Sequence, residues 1–115
     1  MKFSNTASMA ALAGLSLLIP AVHGTLMFDC GNDARFLTST VMEYLSIATA
    51  ARIEDDDPPY AQGQVNGAYR FTKNINNVNR TFLVQSTSIH PFYRFFEITS
   101  GHYECPLKEH YAQQQ

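Results

Sequence analysis

The chain has 115 residues, of which 45% are hydrophobic and 16% charged, and its formal net charge is −2. Without Lys2, which lies in an apparent leader, seven Lys and Arg stand against ten Asp and Glu. This slightly acidic balance argues against strong nonspecific nucleic-acid binding, which needs a basic face, and leaves only a local basic strip open.

The first 24 residues predict a secretory signal peptide. Lys2 gives the positive start, Ala10–Pro20 is an uncharged apolar run, and Val22-His23-Gly24 suits cleavage after Gly24. The apolar run is far shorter than the roughly 20 residues that span a bilayer. We therefore expect a secreted protein without a membrane segment, and a single domain over residues 25–115.

Two cysteines, Cys30 and Cys105, lie near the two ends of this domain. In a secreted chain they permit one intramolecular disulfide, and free thiols are the alternative. Closing so long a loop stabilises the fold by about 4 kcal/mol in the chain-entropy model. Two cysteines with no histidine at ligand spacing fall short of a tetrahedral metal site, so we predict no metal and no cofactor.

The first predicted elements are a strand and a helix. Thr25–Cys30 is short and apolar and suits an edge strand, and Asn32 or Asp33 is a credible N-cap for a helix over Ala34–Ile53. Apolar residues at three- and four-residue steps form one stripe on this helix, which indicates core packing. The stripe consists of Leu37, Val41, Tyr44, Leu45 and Ala48.

An acidic run, 54–57, followed by Pro58 and Pro59, ends the predicted helix because proline cannot continue it. We expect the run to be a solvated loop. A divalent-cation site is the alternative, although consecutive carboxylates do not converge as those of a spaced calcium loop do.

The hydrophobic period then changes to two, which predicts antiparallel strands. The result is an α+β fold in which the helix covers one face of an antiparallel sheet and the other face is open. In chain order we predict a strand at Val65–Phe71, a turn at Lys73–Asn79, strands at Arg80–Thr87 and Phe92–Thr99, a short strand at Gly101–Cys105 and a polar tail at Lys108–Gln115.

These residues resemble a known family in their order and spacing. A helix followed by an antiparallel sheet, with a disulfide that joins the N-terminal strand to the C-terminal segment, is an arrangement similar to that of the fungal guanyl-specific ribonucleases. The chain resembles most closely the ribonuclease-like secreted effectors of powdery mildew fungi, which begin with an aromatic-x-Cys triplet. The residues concerned are the leader, Phe28-Asp29-Cys30, the helix to Ile53, Pro59-Tyr60, Tyr93-Arg94-Phe95-Phe96 and Tyr103-Glu104-Cys105.

The resemblance implies a catalytically inactive scaffold. Cleavage of RNA needs a base, an acid and a cation for the phosphate charge. Active relatives carry Tyr-Pro-His after the helix, whereas the region of Pro59 and Tyr60 holds no histidine. The strand Arg80–Thr87 lacks the expected glutamate, and His102 lies just three residues before Cys105. Only Arg94 matches the family's catalytic set, and a structural ion pair with Glu97 or Glu43 is its alternative role.

The resemblance implies an effector that is delivered into host plant cells, acts as a monomer and suppresses defence. Its partners would be host proteins or host RNA, and a plant immune receptor could detect it. Bases stack on tyrosine rings and cations meet phosphate, so the open sheet face is the predicted binding surface. Its predicted residues are Tyr60, Tyr69, Arg70, Lys73 and Arg94.

Two other functions stay open. The first is an active ribonuclease with a rearranged site, in which Glu97 or Glu104 is the base and His102 the acid. The second is an extracellular toxin-like or structural domain. Independently of function, Asn79-Arg80-Thr81 is an acceptor sequence for N-glycosylation at a predicted hairpin edge.

Overall fold

The computed structural model describes residues 24–111. The predicted leader lies outside the described residues except for Gly24, and residues 112–115 also lie outside them. Among residues 24–111, no helix is both long and apolar enough to cross a membrane.

The described chain is an α+β protein, as predicted. Most of it forms one unit, Leu26–Lys108; the other unit includes residues 24–25 and 109–111, where the Tyr111 hydroxyl donates to Glu109 Oε1 at 2.9 Å. The elements are β1 (Thr25–Asp29), β2 (Arg35–Leu37), α1 (Thr38–Leu45), a 3₁₀ turn (Ala50–Arg52), β3 (Val65–Ile75), β4 (Val78–Thr87), β5 (Tyr93–Glu97), β6 (Tyr103–Glu104) and β7 (Leu107–His110).

The strands form a three-stranded sheet of order β2-β1-β7 and a four-stranded sheet of order β3-β4-β5-β6. The prediction that Thr25–Cys30 is an edge strand is wrong, because β1 is the middle strand of the smaller sheet. The polar tail is also not wholly irregular, since Leu107–His110 forms β7. Edge strands often carry charged and polar side chains, so the polarity of this tail did not indicate that its main chain pairs with a sheet.

The predicted helix begins later and ends earlier than expected. Gly31, Asn32 and Asp33 adopt positive φ angles of 85°, 50° and 71°, so neither Asn32 nor Asp33 caps a helix. They form instead the turn between β1 and β2, where Gly31 N donates to Asp29 Oδ1 at 2.8 Å. Asn and Asp tolerate this left-handed region better than other side chains. Residues 35–37 therefore pair with β1 before the helix starts.

The C-terminal end of the helix is decided by contact with β3. After Leu45 the chain turns, and Thr49 forms an antiparallel bridge with Ala68. A side chain at Gly67 would place its Cβ 3.2 Å from the Ala48 carbonyl carbon, so this close approach depends on glycine. Main-chain pairing at Thr49 thus replaces the last turns of the predicted helix.

The main hairpin is tighter than predicted. Asn76 and Asn77, with φ angles of 53° and 67°, form the two-residue turn between β3 and β4. Positive φ at both positions matches the type I′ turn that suits twisted hairpins. The strands therefore run to Ile75 and from Val78, across most of the predicted turn Lys73–Asn79.

Replacement of Asn77 by valine should lower the free energy of unfolding by about 1–2 kcal/mol, because a β-branched residue is strained at positive φ. Replacement by glycine should leave stability equal to or above that of the wild type. Thermal unfolding of both variants measures the difference. Equal stability of the valine and glycine variants would contradict the assigned turn.

The later strands are confirmed with shorter bounds. The predicted strand Phe92–Thr99 is observed as Tyr93–Glu97, since Phe92 has φ 74° and cannot belong to a strand. The predicted strand Gly101–Cys105 is reduced to Tyr103–Glu104.

The larger core lies between the two sheets and α1. It includes Phe36, Phe82 and Phe95, whose rings lie 4.8–6.0 Å apart, and the fully buried Val41 of α1. The predicted disulfide is confirmed: Cys30 and Cys105 are bonded and belong to this core. A smaller apolar cluster on the opposite face of the four-stranded sheet consists of Ala68, Leu83 and Phe96.

Candidate functional site

The five predicted binding residues do not form one surface. Tyr69 and Lys73 point to the α1 side of the sheet, where Tyr69 stacks on Tyr44 with ring centroids 5.6 Å apart. Lys73 Nζ lies 5.4 Å from the centre of the Phe36 ring. Arg70 and Arg94 belong to the opposite face, because side chains alternate along a strand.

Arg94 and Tyr60 do come together on that opposite face. The Arg94 guanidinium carbon lies 4.9 Å from the centre of the Tyr60 ring and 4.6 Å from that of Phe96. Arg94 Nη1 donates to the Pro59 carbonyl at 3.0 Å, and its Nε lies 3.7 Å from Glu104 Oε2. The alternative structural role of Arg94 fits these contacts, but its carboxylate partner is Glu104 rather than the predicted Glu97 or Glu43.

The predicted open face of the sheet is partly covered by the chain itself. Gln85, which neighbours Arg94 across the ladder, is fully buried, and its Nε2 donates to the Pro58 carbonyl at 2.7 Å. Its Oε1 accepts from Arg94 Nη1 at 3.2 Å. Two side chains of the sheet thus hold the Pro58–Pro59 segment by its carbonyl groups. We call this contact the proline plug.

The acidic run takes part in the same cover. Asp57 forms a close ion pair with Arg70 and its side chain is only 7% exposed, so the prediction of a solvated loop is wrong at this residue. Arg70 Nη1 also lies 3.5 Å from Glu54 Oε2 and donates to the Arg52 carbonyl at 2.7 Å. Burial of Asp57 is tolerated because the guanidinium offsets its charge.

The cation-site alternative has a geometric counterpart in this loop. Oxygens of Glu54, Asp56 and Asp57 lie within 4.8 Å of one another. Arg70 already supplies positive charge to two of these carboxylates, and Glu54 N donates to Asp57 Oδ2 at 2.9 Å. Glu54 and Asp57 therefore belong to an ion-pair network with Arg70.

A polar network centred on Arg80 was not foreseen from the sequence. Arg80 on β4 donates from Nε and Nη2 to the two oxygens of Glu97 on β5, at 2.8 and 2.6 Å. It also donates to the carbonyls of Cys30, Gly31 and Asn32 at 2.9–3.3 Å. The only sequence signal was the position of Arg80 in phase with the buried Phe82 and Val84.

Arg80 and Glu97 line a cavity of about 610 Å³. The cavity is also lined by His102, so it brings together two members of the alternative catalytic set, Glu97 and His102, whereas Glu104 is not among its lining residues. Glu97 accepts a further hydrogen bond from the Thr99 hydroxyl at 2.6 Å. The hydrogen bonds from Arg80 and Thr99 hold the pKa of Glu97 below its usual range. A carboxylate so stabilised is a weak general base.

The cations of the described chain are mostly neutralised. Arg35, Arg70, Arg80 and Arg94 each lie within 4.0 Å of a carboxylate oxygen. Contact with phosphate by Arg70 or Arg94 would first require the loss of these internal partners. Of the cations predicted to meet RNA, Arg70 and Arg94 are thus engaged within the described chain.

The predicted glycosylation residue is accessible in the fold. Asn79 lies on β4 next to the hairpin turn and is exposed, and its Oδ1 accepts from Asn74 Nδ2 at 2.9 Å. Glycosylation of Asn79 stays a prediction.

An apolar loop tip projects between β4 and β5. Ile89 and Phe92 are 45% and 54% exposed, and the His90 ring packs edge-on against Phe92. Main-chain hydrogen bonds from Phe92 N to the Ile89 carbonyl and from Thr87 N to the Phe92 carbonyl fix the tip. Phe92 holds a positive φ of 74°, a conformation that costs free energy and often marks functional sites.

Comparison with known protein families finds no match for this sequence, and comparison with curated proteins finds none either.

Proposed function

We propose that this chain is a secreted, noncatalytic domain with a ribonuclease-like fold that acts as an effector by binding a host plant protein. The proline plug is the observation that carries the proposal. Gln85 and Arg94 are held by the chain's own carbonyl groups on the sheet face that the resemblance assigns to chemistry. An RNA backbone would have to compete with these carbonyl groups for Arg94.

A protein partner is favoured over host RNA by charge. The internal ion pairs of Arg70 and Arg94 leave little attraction for phosphate, whereas an exposed aromatic residue suits a protein interface. The loop tip of Ile89 and Phe92 offers such an anchor. Aromatic anchors that enter a partner's pocket often dominate binding free energy.

The first experiment tests catalysis and RNA binding. We expect the protein purified from a secreting culture to leave RNA intact, because Glu97 is a weak base. We also expect R70A/R94A to show the same low RNA affinity as the wild type in low salt. RNA cleavage that disappears in H102A would contradict the noncatalytic proposal.

The second experiment tests the partner class. Immobilised wild-type protein should retain the same plant proteins from leaf extract with and without nuclease. F92S should reduce that retention by about tenfold or more, as loss of an anchor residue does. V78S is the matched control, since Val78 is equally exposed, at 54%, but lies on the other hairpin. Retention that nuclease abolishes would instead favour host RNA.

A further inference from the structure

Strand β3 is an edge strand of the four-stranded sheet. It spans 11 residues, pairs on one side with β4, and has one irregularity, between Val65 and Gly67. On its other side the described residues provide a single bridge, from Thr49 to Ala68. Beyond Ala68, no strand in residues 24–111 pairs with this edge.

Two independent hydrogen-bond patterns show which main-chain groups point to the free edge. Thr49 N donates to the Ala68 carbonyl and Ala68 N to the Thr49 carbonyl, so Ala68 faces outward. Thr81 pairs with Thr72 across the ladder. Its N–H donates to the Thr99 hydroxyl and its carbonyl accepts from Ile98 N, so its main-chain groups point towards β5. Thr72 and Thr81 are therefore a non-hydrogen-bonded pair, and the main-chain groups of Thr72 also face outward.

By the period of two, Arg70, Thr72 and Asn74 all present N–H and carbonyl groups to the free edge. Thr72, Lys73 and Asn74 are exposed. Unpaired main-chain groups in a row are a template for another strand. Main-chain chemistry thus specifies the occupant as an extended segment.

We propose that β3 pairs antiparallel with β3 of a second copy of this chain, centred on Thr72, to form a dimer with one continuous eight-stranded sheet. This proposal does not depend on the proposed binding function. The free stretch runs from Arg70 to Asn74, and its centre is Thr72. In this register the pairing ends where Ala68, which is already bridged to Thr49, would lie opposite the hairpin turn of the second copy. The outward main-chain groups of Arg70, Thr72 and Asn74 are therefore all paired.

The side chains in this register are compatible on both faces. Arg70 faces the second copy's Asn74 and Thr72 faces the second copy's Thr72, so no like charges lie directly opposite each other. On the other face, Lys73 faces the second copy's Phe71, which carries no charge and whose ring stacks within its own core. The two-fold symmetry makes each contact occur twice, as in most homodimers. Roughly six main-chain hydrogen bonds join the strands.

The test compares two substitutions at the centre of the pairing. T72P removes the outward N–H without breaking the ladder to β4, since edge strands tolerate proline on their free side. T72V keeps the N–H and a strand-forming side chain. Light scattering over a dilution series should give a monomer–dimer equilibrium for the wild type and T72V. T72P should dimerise at least about tenfold more weakly than the wild type, because two of the main-chain hydrogen bonds are lost.

Hydrogen exchange gives a second readout that does not depend on a variant. The amides of Arg70, Thr72 and Asn74 should become protected as concentration rises, while those of Phe71 and Lys73 stay protected throughout by β4. A monomer at every concentration would overturn the proposal, as would a dimer unaffected by T72P. Protection of the outward amides at all dilutions would also overturn it, because the chain's own segment would then cover the edge.

Discussion

Reduction of the Cys30–Cys105 disulfide should lower the free energy of unfolding by about 4 kcal/mol and the midpoint of thermal unfolding by roughly 15–30 °C. The bond closes a loop of 75 residues in sequence separation, which removes much of the conformational entropy of the unfolded chain. A small domain has a total stability of only about 5–15 kcal/mol, so this loss is a large part of it. Thermal unfolding with and without reductant measures it.

The double variant C30A/C105A is the control for this prediction. It should unfold near the midpoint of the reduced wild type and should not respond to reductant. Both cysteines are buried in the larger core, so alanine replacements also test whether packing rather than the cross-link matters. A reduced protein that unfolds at the same temperature as the oxidised one would contradict the expected role of the bond.

Replacement of Arg80 by methionine should lower the free energy of unfolding by about 3–5 kcal/mol, because it leaves the Glu97 carboxylate in place without its partner. The side chains of Arg80 and Glu97 are only 9% and 15% exposed, so water cannot readily substitute for the lost charge. The substitution also removes the donors to the carbonyls of Cys30, Gly31 and Asn32. Denaturant unfolding at neutral pH measures the loss.

The double variant R80M/E97Q is the matched control, since it removes both charges. It should be more stable than R80M alone, because no unpaired carboxylate remains. If R80M and the double variant had equal stability, the ion pair would not be the reason for the loss.

The same pair predicts a pH dependence with a definite sign. Hydrogen bonds from Arg80 lower the pKa of Glu97 in the folded state below its ordinary value of 4.5. The pair therefore contributes its full stability above about pH 4.5, and this contribution is lost as the pH falls through the lower folded pKa. The stability deficit of R80M should shrink over that acidic range, because protonation also removes its unpaired charge. A deficit independent of pH would exclude this linkage.

Part of the fold could be predicted from residue pattern because its causes are local. The period of two along Arg80–Thr87 produced a strand, and alternation placed Phe82 and Val84 in one core. Two cysteines in one chain left a single intramolecular pairing, which the structure confirms. The helix was predicted correctly around Val41, where the apolar stripe meets the core.

The bounds of that helix could not be predicted from the same stripe. Leu37 belongs to a strand because β1 offers it main-chain partners, and Thr49 leaves the helix because Ala68 does the same. Periodicity reports which side of an element is apolar, but not whether a neighbouring strand competes for its hydrogen bonds.

In the candidate site, too, the sequence indicated the residue types, and contacts between elements decided their roles. Residue types alone suggested that Arg70, Arg94 and Tyr60 contribute to a binding face. The side-chain partners of the two arginines, Asp57 and Glu104, come from other elements of the chain. These partners turn available cations into structural ones, and only the approach of separate segments decides that.

The sequence by itself determined the class of fold, the disulfide and the alternation of the strands, because each follows from short-range chemistry along the chain. Tertiary structure alone decided that Pro58 and Pro59 cover part of the second sheet face, that Arg80 meets Glu97, and that β3 keeps a free edge. These features depend on which distant groups satisfy one another's hydrogen bonds and charges when the chain closes on itself.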